Sequence, residues 1–253
     1  MCKMKRKLIL LILVLTVAGL LRAQTTRTIF ITGGDFGTPF LKYVITLTNK
    51  SHPKICFVPT ASADNPYGIN WFYSQCAELP VTPYVLRTFL NSSPEQSTFE
   101  ETLLDMDAII VGGGSTLNMM AIWKAQGIDT VLRKAYEKGI VLGGGSAGSL
   151  CWFTGGFTDS RPQKLSLVEC LGFLRYSHCP HYHSEPTRKP LYQDAILSGK
   201  LLPGYACDDR AGILFQNEKY IKSVAADKNN HTYFLTVAQG KIDEAILPGE
   251  IIQ

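Results

Sequence analysis

Short apolar runs that end in glycine or proline alternate with helical patterns from residue 28 onward, and this alternation is the tightest constraint in the chain. "TIFITGG" reads as a buried strand closing in a glycine turn, followed by helical "PFLKYVITLTNK" with Pro39 suited to its first turn. "KICFVPTAS" and "TPYVLRTFL" read as further strands, separated by helical "YGINWFYSQCAEL". "STFEETLLDM" carries a capping box, Ser97 with Glu100, opening another helix. "DAIIVGGG" is a strand, "STLNMMAIWKAQGIDTVLRKAYEKG" is two helices broken near Gly127, and "IVLGGG" is a strand running into a helix at Ser146. Such a sequence builds βαβ units, so the chain is read as α/β: a mostly parallel sheet flanked by helices on both faces. Beyond residue 200 the runs "GILFQ", "YIKSVAA", "TYFLTVAQ" and "KIDEAIL" read as C-terminal antiparallel strands, a meander closing the sheet edge.

The first 23 residues stand apart. Lys3, Lys5, Arg6 and Lys7 precede an apolar run from Leu8 to Leu21, and the small Ala23 follows, which is the layout of a secretory signal peptide. The run is short for a membrane span, so cleavage is expected, with a retained anchor as the alternative. A secreted or periplasmic protein follows, with residues 24–253 as a single domain. Residues 1–23 hold five cations and no acid, so without them the formal charge falls from +4 to −1. The apparent basicity therefore belongs to the leader, and nucleic acid is not an expected partner. Cys56, Cys76, Cys151, Cys170, Cys179 and Cys207 show no CxxC pair and no disulfide rhythm, and read as small buried apolar residues.

"KGIVLGGGSAGSLCWF" surrounds one hydroxyl, Ser146, with residues that have almost no side chain. Strand, sharp turn and helix with Gly144, Ser146 and Gly148 is the setting of a nucleophile elbow, in which the serine is displayed at the strand end and its neighbours must lack bulk. The helix start then offers N–H groups to a negatively charged oxygen, Ala147 first among them. A second cluster, Gly112 to Gly114 in "IIVGGGSTLN", also ends a strand and opens a helix. Two such turns side by side at the C-terminal edge of a parallel sheet allow Gly113 to supply a second oxyanion donor. The competing reading is an ordinary glycine-rich turn with Ser146 as a helix cap. The second cluster lacks the lysine of a P-loop, and "TGGDFGT" near residue 33 fails the dinucleotide fingerprint, so nucleotide is not an expected ligand.

A serine nucleophile needs a base. Three of the histidines lie in "RYSHCPHYHSEP", which reads as an extended strand end with Cys179, His181 and His183 on one face and His178 on the other. Zinc held by Cys179, His181 and His183 is the rival, although nothing like HExxH is present. His178 and His183 otherwise read as surface histidines.

On "GGGSTLNMMAIWKAQGID", "LGGGSAGSLCWF", "TDS" and "LGFL…CPHYHSEP", the chain resembles the peptidase E family of serine peptidases, aspartyl dipeptidases whose wider relatives include cyanophycinases. The resemblance implies a fold like that of the class I glutamine amidotransferases, with Ser146 as nucleophile and His181 as its base. It also implies Asp159 as the triad acid, while Asp209 in "ACDDRAG" is a second candidate because it follows a later strand and could approach His181. Arg188 lies where the family supplies the arginine that grips an N-terminal aspartate, and a guanidinium can do so in bidentate fashion. Glu185 is a candidate for the substrate's amino group. The reading is a serine peptidase for short peptides, with no metal and no organic cofactor called for. An α/β-hydrolase-type esterase and a secreted binding protein that has lost catalysis are the alternatives. Oligomeric state is not legible.

Overall fold

A computed structural model describes residues 25–34, 36–89 and 97–252. The leader expected at residues 1–23 lies outside them. Following the chain, strand β1 (Thr28–Thr32) leads into helix α1 (Thr38–Thr48), then β2 (Lys54–Val58), a 3-10 turn at Thr60–Ser62, α2 (Pro66–Cys76) and β3 (Thr82–Val85). Helix α3 (Phe99–Leu104), β4 (Ala108–Val111), α4 (Thr116–Gln126), α5 (Ile128–Lys138) and β5 (Val141–Gly145) complete the regular alternation. The short α6 (Ala147–Leu150) follows at once, and then β6 (Gly155–Thr158), β7 (Ser166–Glu169), β8 (Ser177–Cys179), α7 (Arg188–Leu197) and β9 (Gly204–Cys207). The chain closes with β10 (Ala211–Gln216), β11 (Lys219–Ala225), β12 (Thr232–Ala238), β13 (Lys241–Leu247) and β14 (Gly249–Ile251).

The first sheet runs β14-β11-β10-β1-β5-β4-β2-β3, parallel from β1 through β3. The central strands β1, β2 and β4 are apolar on both faces, as a doubly covered sheet requires. In β1, Ile29 and Ile31 join the core with Met119 and Trp123 of α4 and Leu132 of α5, while Phe30 faces Phe40, Leu41 and Val44 of α1 on the other side. The same division runs through β4, with Ile109 and Val111 on one side and Ala108 and Ile110 on the other.

Two details differ from the sequence reading. The C-terminal strands do not form one meander: β10 adds antiparallel to β1 and β11 antiparallel to β10, whereas β12 and β13 join a second sheet, β13-β12-β9-β8-β6-β7. The strands β6 to β9 are only three or four residues long, too short for a pattern to announce them, and Tyr205 and Cys207 of β9 bury against the first sheet's core. The capping box of α3 is also one residue later than expected. Thr98, not Ser97, accepts from the Glu101 N–H, and Glu101 returns the contact to the Thr98 N–H.

Two glycines explain how the central strands converge. A Cβ at Gly145 would fall on the Gly34 carbonyl oxygen after β1, and one at Gly148 on the Val111 carbonyl at the end of β4. Only residues without side chains let β1, β4 and β5 bring their C-terminal ends to one point.

Candidate active site

Ser146 stands between β5 and α6 with φ +56° and ψ −120°, a conformation that costs on the order of 1–3 kcal/mol for a residue with a side chain. The turn is held from within: the N–H groups of Ser149 and Leu150 both donate to the Ser146 carbonyl at 3.0 Å. The strained φ lifts Oγ out of the strand line toward the open edge of the sheet.

His181 reaches Ser146 from the second sheet. β8 ends at Cys179, and the chain then turns with His181 itself at φ +54°, so the expected strand alternation stops before the histidine. Its Nε2 lies 2.8 Å from Ser146 Oγ and its Nδ1 2.7 Å from Asp209 Oδ1. A carboxylate only accepts, so the Nδ1 proton is donated to Asp209 and Nε2 is left as the acceptor for the serine hydroxyl. Ser184 adds a second donor to Asp209, its Oγ 2.9 Å from Oδ1. Nothing in the sequence marked Ser184. Asp209 sits in the β9–β10 turn, and Gly34 N–H donates to its carbonyl at 3.0 Å, tying that turn to the end of β1.

Asp159, the preferred acid from the sequence, is not on the imidazole. It is exposed, and with Ser160, Glu185 and Arg188 it lines a polar recess of about 340 Å³ that opens beside Ser146. Its place just beyond β6 carries it to that recess, whereas the antiparallel return of β10 delivers Asp209 to His181.

The amide groups chosen as oxyanion donors lie at the serine. Gly113 packs so closely that a Cβ there would be 3.2 Å from Ser146 Cβ, and Ala147 is the next residue along the chain. Among the described residues, neither N–H donates to another protein group. Two amides free beside a hydroxyl are what a developing oxyanion needs.

Arg188 is 3 % exposed. Its Nε and one terminal nitrogen donate to Glu185 at 2.7 and 3.2 Å, and the other terminal nitrogen to the Phe157 carbonyl at 3.2 Å. Glu185 thus spends both oxygens on Arg188, although both residues still face the recess.

His178 is fully buried rather than on the surface, stacked on Phe153 at 4.5 Å between ring centroids. Burial away from water pushes its pKa down to about 3, so the ring is neutral. Nδ1 donates to the Tyr205 carbonyl at 3.0 Å, and Nε2 meets Ser149 Oγ at 2.9 Å. The Ser149 hydroxyl also lies 2.7 Å from the Ser146 carbonyl, so this histidine braces the turn under the serine. His183 pairs with Asp208 at 2.8 Å.

The zinc alternative fails on these partners. Cys179 is buried with its thiol pushed up to about 12, His181 is committed to Ser146 and Asp209, and His183 to Asp208. Among the described residues no three His, Cys, Asp or Glu side chains gather as a metal site. Cys56, Cys76, Cys151, Cys179 and Cys207 are buried free thiols, and Cys170 is partly buried. No helix among the described residues is long and apolar enough to cross a membrane. A cleft of about 620 Å³ at the opposite end of the parallel strands, lined by Thr28, Asp107 and Lys138, lies away from this chemistry.

Comparison with known proteins finds peptidases by family model, by sequence and by fold. The model of peptidase family S51 matches residues 27–223. An uncharacterized peptidase of Bacillus subtilis (strain 168), YgaJ, is 39% identical over 207 residues, spanning 82% of this chain and 88% of that protein. The crystal structure of a peptidase from an acI-B1 Actinobacterium superposes with a TM-score of 0.68 at 17% identity, covering 91% of this chain and 98% of its own. A protein of Listeria monocytogenes EGD-e assigned to peptidase E superposes with a TM-score of 0.61 at 17% identity, covering 80% of this chain and 100% of its own. The fold is therefore the one shared by peptidase E structures, the class I glutamine amidotransferase-like arrangement.

Proposed function

We propose that this chain, which belongs to peptidase family S51 and is a serine peptidase, hydrolyses short peptides through Ser146, His181 and Asp209. The observation that carries the reading is one imidazole with a hydroxyl at 2.8 Å on one nitrogen and a carboxylate at 2.7 Å on the other. In this mechanism His181 Nε2 takes the Ser146 proton as Oγ bonds to the peptide carbonyl carbon. The carbonyl oxygen gains the negative charge and is met by the Gly113 and Ala147 N–H groups. When the C–N bond breaks, the imidazolium gives its proton to the leaving amine, and an ester on Ser146 remains. Water, deprotonated by the same nitrogen, then hydrolyses that ester and restores the serine. Asp209 keeps the Nδ1 proton in place and offsets the imidazolium charge; it does not itself take the proton.

The finer part of the proposal concerns the substrate's first residue. The polar recess holds Asp159 beside the Glu185–Arg188 pair, and this supports a free amino terminus bound near Asp159. Arg188 uses three of its donors on protein, and the two that remain support binding of an N-terminal aspartate side chain. The leader at residues 1–23 supports action outside the cytoplasm, as a secreted or periplasmic enzyme.

The test is hydrolysis of a dipeptide panel with varied first residues by the purified protein and by its Ser146→Ala form. Cleavage by the first and none by the second supports the reading, and equal turnover by both removes it.

A further inference from the structure

The polar recess accounts for only one side of Ser146. On the other side a cleft of about 450 Å³ opens, floored by Gly112 to Gly114 and reaching Ser146 and His181. Four aromatic side chains, Phe36, Phe57, Tyr67 and Trp71, line it among small and apolar residues and Ser62. Phe57 and Phe36 are buried, the Phe57 ring braced by Phe72 at 5.0 Å between centroids. Tyr67 and Trp71 are four residues apart on α2, hence on one face of the helix, and are 85% and 36% exposed. No Asp, Glu, Lys or Arg of the described residues lines this cleft, whereas three charged side chains line the recess.

We infer that the aromatic cleft is the subsite for an apolar or aromatic side chain on the residue that follows the scissile bond. The inference rests on Ser146 being the nucleophile, since that atom fixes where the bond lies. A peptide bond on Ser146 places one residue on each side. The charged recess suits the residue bearing the free ammonium, which is the acyl half. The leaving residue then falls in the aromatic cleft, and its nitrogen stays beside His181, the group that must protonate it. The volume lies in the range of small-molecule sites and takes a side chain as large as phenylalanine. Exposed tyrosine and tryptophan on one helix face at this cleft leave apolar surface open to a ligand side chain.

Gly68 gives a clean probe. It lies on α2 between the two exposed aromatics and lines the cleft, and a Cβ there would meet nothing within 4 Å. Gly68→Leu therefore fills the cleft without disturbing the core, and Trp71→Ala removes a wall. The first experiment measures kcat/KM on dipeptides that share their first residue and end in Phe, Leu or Gly. Wild type should favour Phe and Leu over Gly by about tenfold or more, mostly in KM, while both variants bring the ratio toward one. The second measures binding of the same peptides to Ser146→Ala protein by calorimetry, with and without Trp71→Ala, which reads the subsite without catalysis. Tighter binding of the Phe peptide, lost on Trp71→Ala, supports the inference. Equal binding of Phe and Gly peptides, or a preference that survives both variants, overturns it. Turnover by Ser146→Ala would instead overturn the assignment of the nucleophile, so the two failures are distinct.

Discussion

Ser146 and His181, whose side chains meet at 2.8 Å, both hold left-handed backbone φ angles, +56° and +54°. Neither residue would choose that conformation on its own, and each sits in a turn locked by backbone hydrogen bonds. The Ser146 turn is closed by Ser149 and Leu150, and Tyr182, next to His181, donates its N–H to the Cys207 carbonyl at 3.1 Å. Strain at two turns from two different sheets is thus what brings one hydroxyl to one imidazole.

The partner of that imidazole separates two otherwise similar aspartates. Asp209→Asn should keep the fold and lower kcat on the order of 10³- to 10⁴-fold, because an amide no longer enforces the Nδ1 tautomer. Asp159→Asn should leave kcat on a neutral substrate nearly intact and act through KM, since Asp159 lines the recess and bonds neither ring nitrogen. Steady-state kinetics on both variants checks this, and a reversed pattern assigns the acid to Asp159.

Close approach of backbones at the serine turn leads to a stability prediction. Gly148→Ala drives a methyl group onto the Val111 carbonyl, so the variant should lose about 1–3 kcal/mol. Thermal melting read by circular dichroism should fall by several degrees, at roughly 2–4 °C per kcal/mol for a chain of this size. Gly240→Ala is a poor control because its φ is positive, whereas Gly68→Ala, in open helical space, should melt at or above the wild-type temperature.

These glycines are also why so much of the fold and site was legible in the sequence. A strand that ends in Gly-Gly-Gly-Ser needs a physical reason, and close packing of strand, turn and helix is one of very few. Ser146, His181, Gly113 and Ala147 were picked out, and the structure brings all four together. Asp209 could not be ranked over Asp159, because both follow short strands and only the topology decides which strand end faces His181. His178 reads as a surface residue from the sequence, whereas the three residues of β8 are buried on both faces. The second sheet was missed for a related reason: strands of three or four residues are too short for a two-residue period to register.

Burial of His178 makes stability depend on pH with a defined sign. The folded pKa is about 3 against an ordinary 6.5, so between those values the unfolded chain binds a proton that the folded one refuses. Its contribution is complete above pH 6.5 and is lost as pH falls toward 3. His178→Gln, which cannot take up that proton, should have a lower melting temperature near neutrality but a shallower decline through this window. Parallel declines of the two proteins would show that His178 does not carry the dependence.

Arg188 offers a test of the first-residue preference. Arg188→Lys keeps the charge beside Glu185 but loses the planar fork, so the ratio of kcat/KM for Asp-X over Ala-X should drop at least about tenfold. An unchanged ratio would detach Arg188 from substrate recognition.

The most direct measurement of the central claim is covalent labelling of the purified protein with a serine-directed phosphonate, mapped by mass spectrometry. One adduct per chain on the peptide containing Ser146, strongly slowed in His181→Ala, is the result expected of a hydroxyl activated by that imidazole. No adduct at Ser146, or labelling at the same rate without His181, would contradict it.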